Sequence, residues 1–272
     1  MSAATAAGID ARAHVGTGDV LLVTLDTLRY DVARDALAAG ETPTLAAALG
    51  AWEARHSPGS FTFAAHAAFF AGFLPTPASP GLHERLFAMR FPGSETTGPR
   101  TCVLDGADLA SGLRARGYHS ICIGGTGFFD RRTPLGSVLP SLFDESHWSP
   151  ELGVTDPRST EHQVQLALAR VAAQPRDQRL FVFVNVSALH QPNLHHLPGA
   201  TADSPETQRA ALRYVDRALA PLFTAMRERA PVLAIVTSDH GTAYGEDGYT
   251  GHRLAHPIVW TVPYAEALWP AI

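Results

Sequence analysis

The chain has 272 residues, of which 46% are hydrophobic and 17% charged, and a formal net charge of −5. A chain of this length can bury a sizeable core, and its negative charge excludes non-specific attraction to nucleic acid or an anionic membrane surface. All 21 Lys-or-Arg positions are arginine, which excludes a Walker-type phosphate loop, a Schiff-base enzyme and a lysine general base.

Residues 1–17 are rich in Ala and Gly and unpatterned, and read as a loose leader ahead of one domain over 18–272. They lack the basic start and apolar run of a signal peptide, and no stretch of the chain approaches the ~20 apolar residues of a membrane span. The expectation is a cytoplasmic protein. Residues 19–26, DVLLVTLD, form a short continuous apolar run, as expected of a strand buried on both faces, and end on Asp26. Thr42-Pro43 opens a helix that Gly50 closes. Residues 65–72 read as helical just after Thr62, and residues 106–116 as a helix stopped by Gly117. YHSICIG, 118–124, is a second buried strand, and 125–158, rich in Gly, Pro and Ser, a long loop. Thr160 and Gln163 resemble a capping box for a helix over 161–173. RLFVFVNV, 179–186, is a third strand. A helix over 205–229, with Pro221 as a point of kinking, precedes a fourth strand at 231–239 and a fifth at 256–263. Buried strands alternating with amphipathic helices predict an α/β fold, a three-layer α/β/α sandwich around a mostly parallel sheet. Cys102 and Cys122 have no metal or disulfide spacing and read as small buried hydrophobes.

Ligands of such sheets bind beyond the carboxyl ends of the strands. Asp26 ends the first strand, Asn185, Ser187 and His190 accompany the third, and Asp239-His240 ends the fourth. Asp and His together suit a divalent metal such as Mn²⁺ or Zn²⁺. Taken alone, Asp239-His240-Gly241 is as consistent with an ordinary turn.

The surrounding residues add more. SDHGTAYGEDGYTGH (238–252), LDTLRYD (25–31) and SFTFAAHAAFFAGFLP (60–75) resemble, in that order along the chain, the last metal motif, the first metal segment and the nucleophile segment of the alkaline phosphatase/sulfatase superfamily. RGYHSICIGG (116–125) and RYVDRALAPLFTAMRER (213–229) are similar to landmarks between them. The resemblance implies an alkaline phosphatase-like fold and a sulfatase-like catalytic domain with Asp26, Asp239 and His240 as metal ligands. Thr62 is then a metal-bound nucleophile, against the plainer reading of a helix cap. It implies that His190 holds an ester oxygen or protonates the leaving group, and that His252 contacts the substrate anion. His66, one helical turn after Thr62, would orient the nucleophile or simply pack. His195, His196 and His256 have no counterpart in the family's motifs. Arg29 is expected to brace the Asp26 loop, Glu246 and Asp247 to fix their own loop, and Arg131, Arg132 and His147 to lie within reach of an anion.

The chain also departs from the family pattern. Thr62 replaces the cysteine that sulfatases oxidise, so no formylglycine is expected. Thr27 replaces a second Asp, His240 an Asn, and Gly124-Gly125 a Gly-Lys. Val186 stands where a second metal site needs Asp, so one metal is expected. The functional expectation is a metal-dependent hydrolase of phosphate, or less favourably sulfate, esters acting through Thr62 on a small-molecule substrate. The alternatives are a phosphoryl-linked group transferase and a catalytically silent relative that binds a ligand or partner. The family's C-terminal subdomain has no counterpart here, which implies a pocket left open or completed by a partner chain.

Overall fold

The apolar runs become the middle of one sheet. The computed structural model describes residues 9–72, 87–89, 102–104 and 108–272. Its strands are β1 (Asp19–Leu25), β2 (Glu53–His56), β3 (Phe87–Met89), β4 (Cys102–Leu104), β5 (Tyr118–Ile123), β6 (Glu145–His147), β7 (Arg179–Val186), β8 (Val232–Thr237), β9 (Ala243–Tyr244), β10 (Thr250–Gly251) and β11 (Thr261–Trp269). Seven form the main sheet in the order β2-β11-β8-β1-β7-β5-β6. β8, β1, β7, β5 and β6 run parallel, while β11 lies antiparallel to both β8 and β2.

Alternation along β1 sorts its side chains to two cores. Leu21, Val23 and Leu25 pack with residues of the helices Tyr30–Ala38, Ser159–Ala172 and Pro205–Arg229. Val20 and Leu22 pack on the opposite face with Ala67 and Phe70 of the helix Thr62–Ala71 and Leu113 of the helix Leu109–Arg114. This is the three-layer α/β/α sandwich with a mostly parallel sheet that the sequence predicts.

Several elements differ from expectation. The stretch 125–158 holds the edge strand β6, the helix Pro134–Val138 and three 3-10 turns, because β6 needs only three paired residues and carries no apolar run. The helix expected over 161–173 starts at Ser159 behind Arg158, which leaves Thr160 buried inside it rather than at its cap. The strand expected at 256–263 is displaced: His256 caps a helical turn, Pro257–Trp260, and β11 then runs on to Trp269. β2, EARH, was not foreseen; it is charged and fully exposed, as an edge strand permits. The helix Pro205–Arg229 continues through Pro221 and opens with a Ser204–Thr207 capping box. Of the segment 1–17, residues 9–17 are described: Asp10 caps a short helix, Ala11–His14, and His14 Nε2 lies 3.0 Å from Asp19 O. The start of the helix expected at 106 and the Cys102 side chain lie outside the described residues, whereas Cys122 is buried in the second core.

At the amino end of β1, Asp19 is 1% exposed. It accepts hydrogen bonds from Leu180 N at 2.8 Å and Arg229 Nε at 3.0 Å. Arg229 thereby ties the end of the long helix to the central strand. Arg229→Met would leave a buried carboxylate without its counter-charge, and a loss of about 3–5 kcal/mol in unfolding free energy is expected. Urea denaturation at neutral pH measures it; a loss below about 1 kcal/mol would mean that the pair does not hold this end of the sheet.

Candidate active site

Adjacent parallel strands deliver their C-terminal residues to one place. β1 and β8 are neighbours, so Asp26, one residue past β1, and Asp239, two past β8, meet at the same sheet edge. Thr27 turns the chain sharply there, at φ +62°, a conformation rare for a β-branched residue. Three bonds hold this turn: Thr27 N donates to Asp239 Oδ1 (3.2 Å), Thr27 Oγ1 to Leu189 O (3.0 Å), and Gln208 Nε2 to Thr27 O (2.9 Å). Ser57 Oγ donates to Asp239 O and fixes the second strand end.

Asp26, Thr62, Asp239 and His240 are all buried at this edge, and one donor atom from each of Asp26, Asp239 and His240 lies within 4.8 Å of the others. Thr62 Oγ1 stands 3.4 Å from Asp26 Oδ2 and 3.4 Å from His240 Nε2. His240 Nδ1 donates to Gly241 O at 2.9 Å, which leaves the Nε2 lone pair facing Asp239 Oδ2 at 3.5 Å and Asp26 Oδ1 at 3.9 Å. Those two carboxylate oxygens are buried and have no hydrogen-bond partner. Three lone-pair donors turned toward one another, two of them orphaned, are unfavourable alone and fit a divalent cation. Burial, then the neighbouring Asp239 charge, pushes the Asp26 carboxyl up; burial pushes Asp239 up to about 7. Burial lowers His240, keeping its ring neutral.

Thr62 is the first residue of its helix, where unpaired backbone N–H groups give a positive potential. His66 is fully buried among Phe69, Phe70, Phe129 and Phe183 and does not line the cleft over Thr62. Its Nδ1 donates to Thr62 O at 2.7 Å and its Nε2 accepts from Thr24 Oγ1 at 2.9 Å. Asn185 Nδ2 donates to Asp26 Oδ2 at 3.1 Å and reaches Thr24 Oγ1 at 3.3 Å. His66 and Asn185 therefore position the Thr62 backbone and the Asp26 carboxylate, and His66 does not line the cleft.

His190 and His252 line a cleft of about 340 Å³ that opens over Thr62, together with Phe128, Asp130 and Arg253. His190 Nδ1 donates to Gln191 O at 2.6 Å, freeing Nε2. His252 packs 4.6 Å, ring to ring, from His240. The remaining candidates lie elsewhere. His196 stacks on Tyr214, His195 packs tilted against His196, and His256 binds Asp247. Arg131 points to Pro140 O, Arg132 sits over Trp148, His147 pairs with Glu145, and Ser187 donates to Leu152 O. Arg29 binds Asp31 and Glu246, the loop brace that was expected. Sequence reasoning missed Gln208 and Ser57; each comes from a distant element and nothing in its local sequence marks it.

No family model matches the chain, and no curated protein matches it in sequence. Solved structures do. The soluble domain of lipooligosaccharide phosphoethanolamine transferase A from Neisseria meningitidis superposes with a TM-score of 0.65 at 15% identity, covering 94% of this chain and 77% of that one. The C-terminal periplasmic domain of EcEptC from Escherichia coli, in complex with Zn, gives 0.62 at 14% identity, covering 94% and 73%. A protein in the alkaline phosphatase superfamily from Vibrio parahaemolyticus gives 0.56 at 16%, covering 93% and 60%. The chain thus has the alkaline phosphatase-like fold that its motifs implied. The cytoplasmic expectation does not stand, because the E. coli counterpart is a periplasmic domain. A domain of this fold has the same soluble composition wherever it resides, so the lack of a signal-like pattern in residues 1–17 carries no compartment.

The two raised carboxyls make stability depend on metal and pH. Without metal, the folded protein holds protons that the unfolded chain releases near 4, so stability falls as pH rises through about 4 to 7 and the loss is complete above. Metal-free Asp239→Asn should melt higher than the metal-free parent at pH 8 and lose that advantage at pH 4. Calorimetry of both proteins in chelator checks this; equal melting at pH 8 would show that the carboxylates are not strained against each other.

Proposed function

We propose that this protein is a metal-dependent enzyme that attacks phosphate esters through Thr62. The observation that carries the reading is the pair of buried, partnerless carboxylate oxygens beside a free imidazole nitrogen and a helix-terminal hydroxyl. Asp26, Asp239 and His240 would hold a divalent cation, Mn²⁺ or Zn²⁺, supplying a Lewis acid next to Thr62 Oγ and the ester oxygens. The Zn complex of the E. coli neighbour supports Zn²⁺.

The chain's own groups account for the steps. Thr62 Oγ gives its proton to Asp26 Oδ2 and forms a bond to phosphorus, while the bond from phosphorus to the leaving oxygen breaks. His190 Nε2–H gives its proton to that leaving oxygen; the same nitrogen then takes a proton from the water that attacks phosphorus, the bond from phosphorus to Thr62 Oγ breaks as Oγ recovers its proton from Asp26, and inorganic phosphate leaves. The helix N-terminus and the buried floor of the cleft favour negative charge gathering on the phosphoryl oxygens.

Transfer to an alcohol instead of water is the second reading, and the Neisseria neighbour, a phosphoethanolamine transferase, supports it. Purified protein is expected to carry about one Mn²⁺ or Zn²⁺ per chain, lost in Asp239→Ala. Thr62→Ala should slow release of nitrophenol from aryl phosphate esters by on the order of 10³-fold or more. Lack of stoichiometric metal, or a full rate in Thr62→Ala, would sink the proposal. Nitrophenol release exceeding inorganic phosphate in the presence of an added alcohol would assign transfer rather than hydrolysis.

A further inference from the structure

The proposed substrate is an anion, and the charges of the metal pocket do not hold it by themselves. Asp26 and Asp239 together balance a divalent cation, which leaves the phosphoryl charge to be met from elsewhere. Gly124 and Gly125 cannot meet it. A Cβ on Gly124 would fall 2.3 Å from Phe129 Cβ, and one on Gly125 2.2 Å from Asn185 O. No basic side chain can grow from either position. His190 and His252 reach the cleft, but an imidazole is not a fixed charge.

Among the described residues lining that cleft, Arg253 is the one permanently charged cation. Its backbone is left-handed, φ +70°, a conformation uncommon without glycine. Its N–H donates to Ser60 O at 2.8 Å, and its guanidinium lies 5.3 Å from the Phe61 ring centroid. Ser60 and Phe61 directly precede Thr62, so Arg253 is fastened to the nucleophile segment by backbone and by side chain. Unlike Arg29, which is consumed by Asp31 and Glu246, it makes no ion pair with a described carboxylate. Its charge is felt at both His240 and His252.

We propose that Arg253 is a substrate-binding residue whose guanidinium holds a non-bridging phosphoryl oxygen while Thr62 Oγ attacks, supplying the charge that the glycine pair cannot. It rests on the phosphoester reading above and adds to it a second, metal-independent anchor for the anion. A guanidinium offers two parallel N–H donors to such an oxygen pair, and it needs a turn that aims it inward.

The test uses full-length, metal-loaded protein and Arg253→Asn, since asparagine tolerates the left-handed backbone. Orthovanadate binding by calorimetry should weaken at least ~10-fold, and kcat/KM for an aryl phosphate should fall ~10²-fold. Arg253→Lys should recover part of both, and added guanidinium ion should restore part of the rate in Arg253→Asn alone. A purely structural Arg253 would lower melting temperature without rescue by guanidinium. Vanadate binding unchanged in Arg253→Asn, or a rate loss that guanidinium leaves untouched, would overturn the proposal. Should the parent bind vanadate through Arg253 yet turn over no ester, the anion site stands and the esterase reading falls.

Discussion

Two carboxylates facing each other in a buried pocket set the terms for the rest of the molecule. Asp26 and Asp239 are both fully buried, and each keeps an oxygen with no hydrogen bond. Unpaired buried charge is penalised by several kcal/mol per ion, so a chain does not bring two such groups together by packing alone. The sheet forces the meeting, because β1 and β8 are adjacent and parallel and both carboxylates stand just beyond their ends. Side chains from three other elements then hold the geometry: Gln208 from the long helix, Ser57 after β2, and Asn185 from β7. The fold accepts local instability at this edge and offsets it with an apolar core on each side of the sheet.

Thr62 is held with similar rigidity. His66 spans from Thr62 O to Thr24 Oγ1, inside a shell of phenylalanines that leaves its ring no alternative orientation. Burial pushes its imidazole down to about 3, so it remains neutral and donates through Nδ1 only. Helix and central strand are thereby locked one to the other, and the Thr62 backbone is held beside the two carboxylates. Preorganisation of that kind lowers the reorganisation needed when charge develops.

What could be read from the sequence follows from how each residue earns its place. Strands β1, β5, β7 and β8 announce themselves because both faces are buried and the residues are mostly apolar. β2 and β6 lie toward the sheet margins, where pairing is satisfied by backbone and side chains stay polar, so no pattern marks them. β11 was misplaced because His256-Pro257 caps a helical turn out of residues whose apolar pattern suits a strand equally well. At the site, Asp26, Thr62, Asp239 and His240 stand at the ends of elements, where chain order and chemistry coincide. Gln208 and Ser57 act through tertiary contacts 181 and 182 residues along the chain from their partners, and spacing holds no trace of that.

The carboxylate pocket and the cleft above it are one mechanical unit. Arg29, buried beside the Asp26 turn, reaches across to Glu246, whose other carboxylate oxygen accepts from Tyr244 N at 2.6 Å. That fixes the start of the loop that runs on through the β9–β10 pairing to His252 and Arg253. The far end of the same loop returns to the nucleophile through Arg253 N and Ser60 O. A displacement of the cleft wall would therefore pull on both the Asp26 turn and the residues before Thr62. The cleft wall and the carboxylate pocket share their supports, so a substitution at Glu246, which lines neither, acts on both.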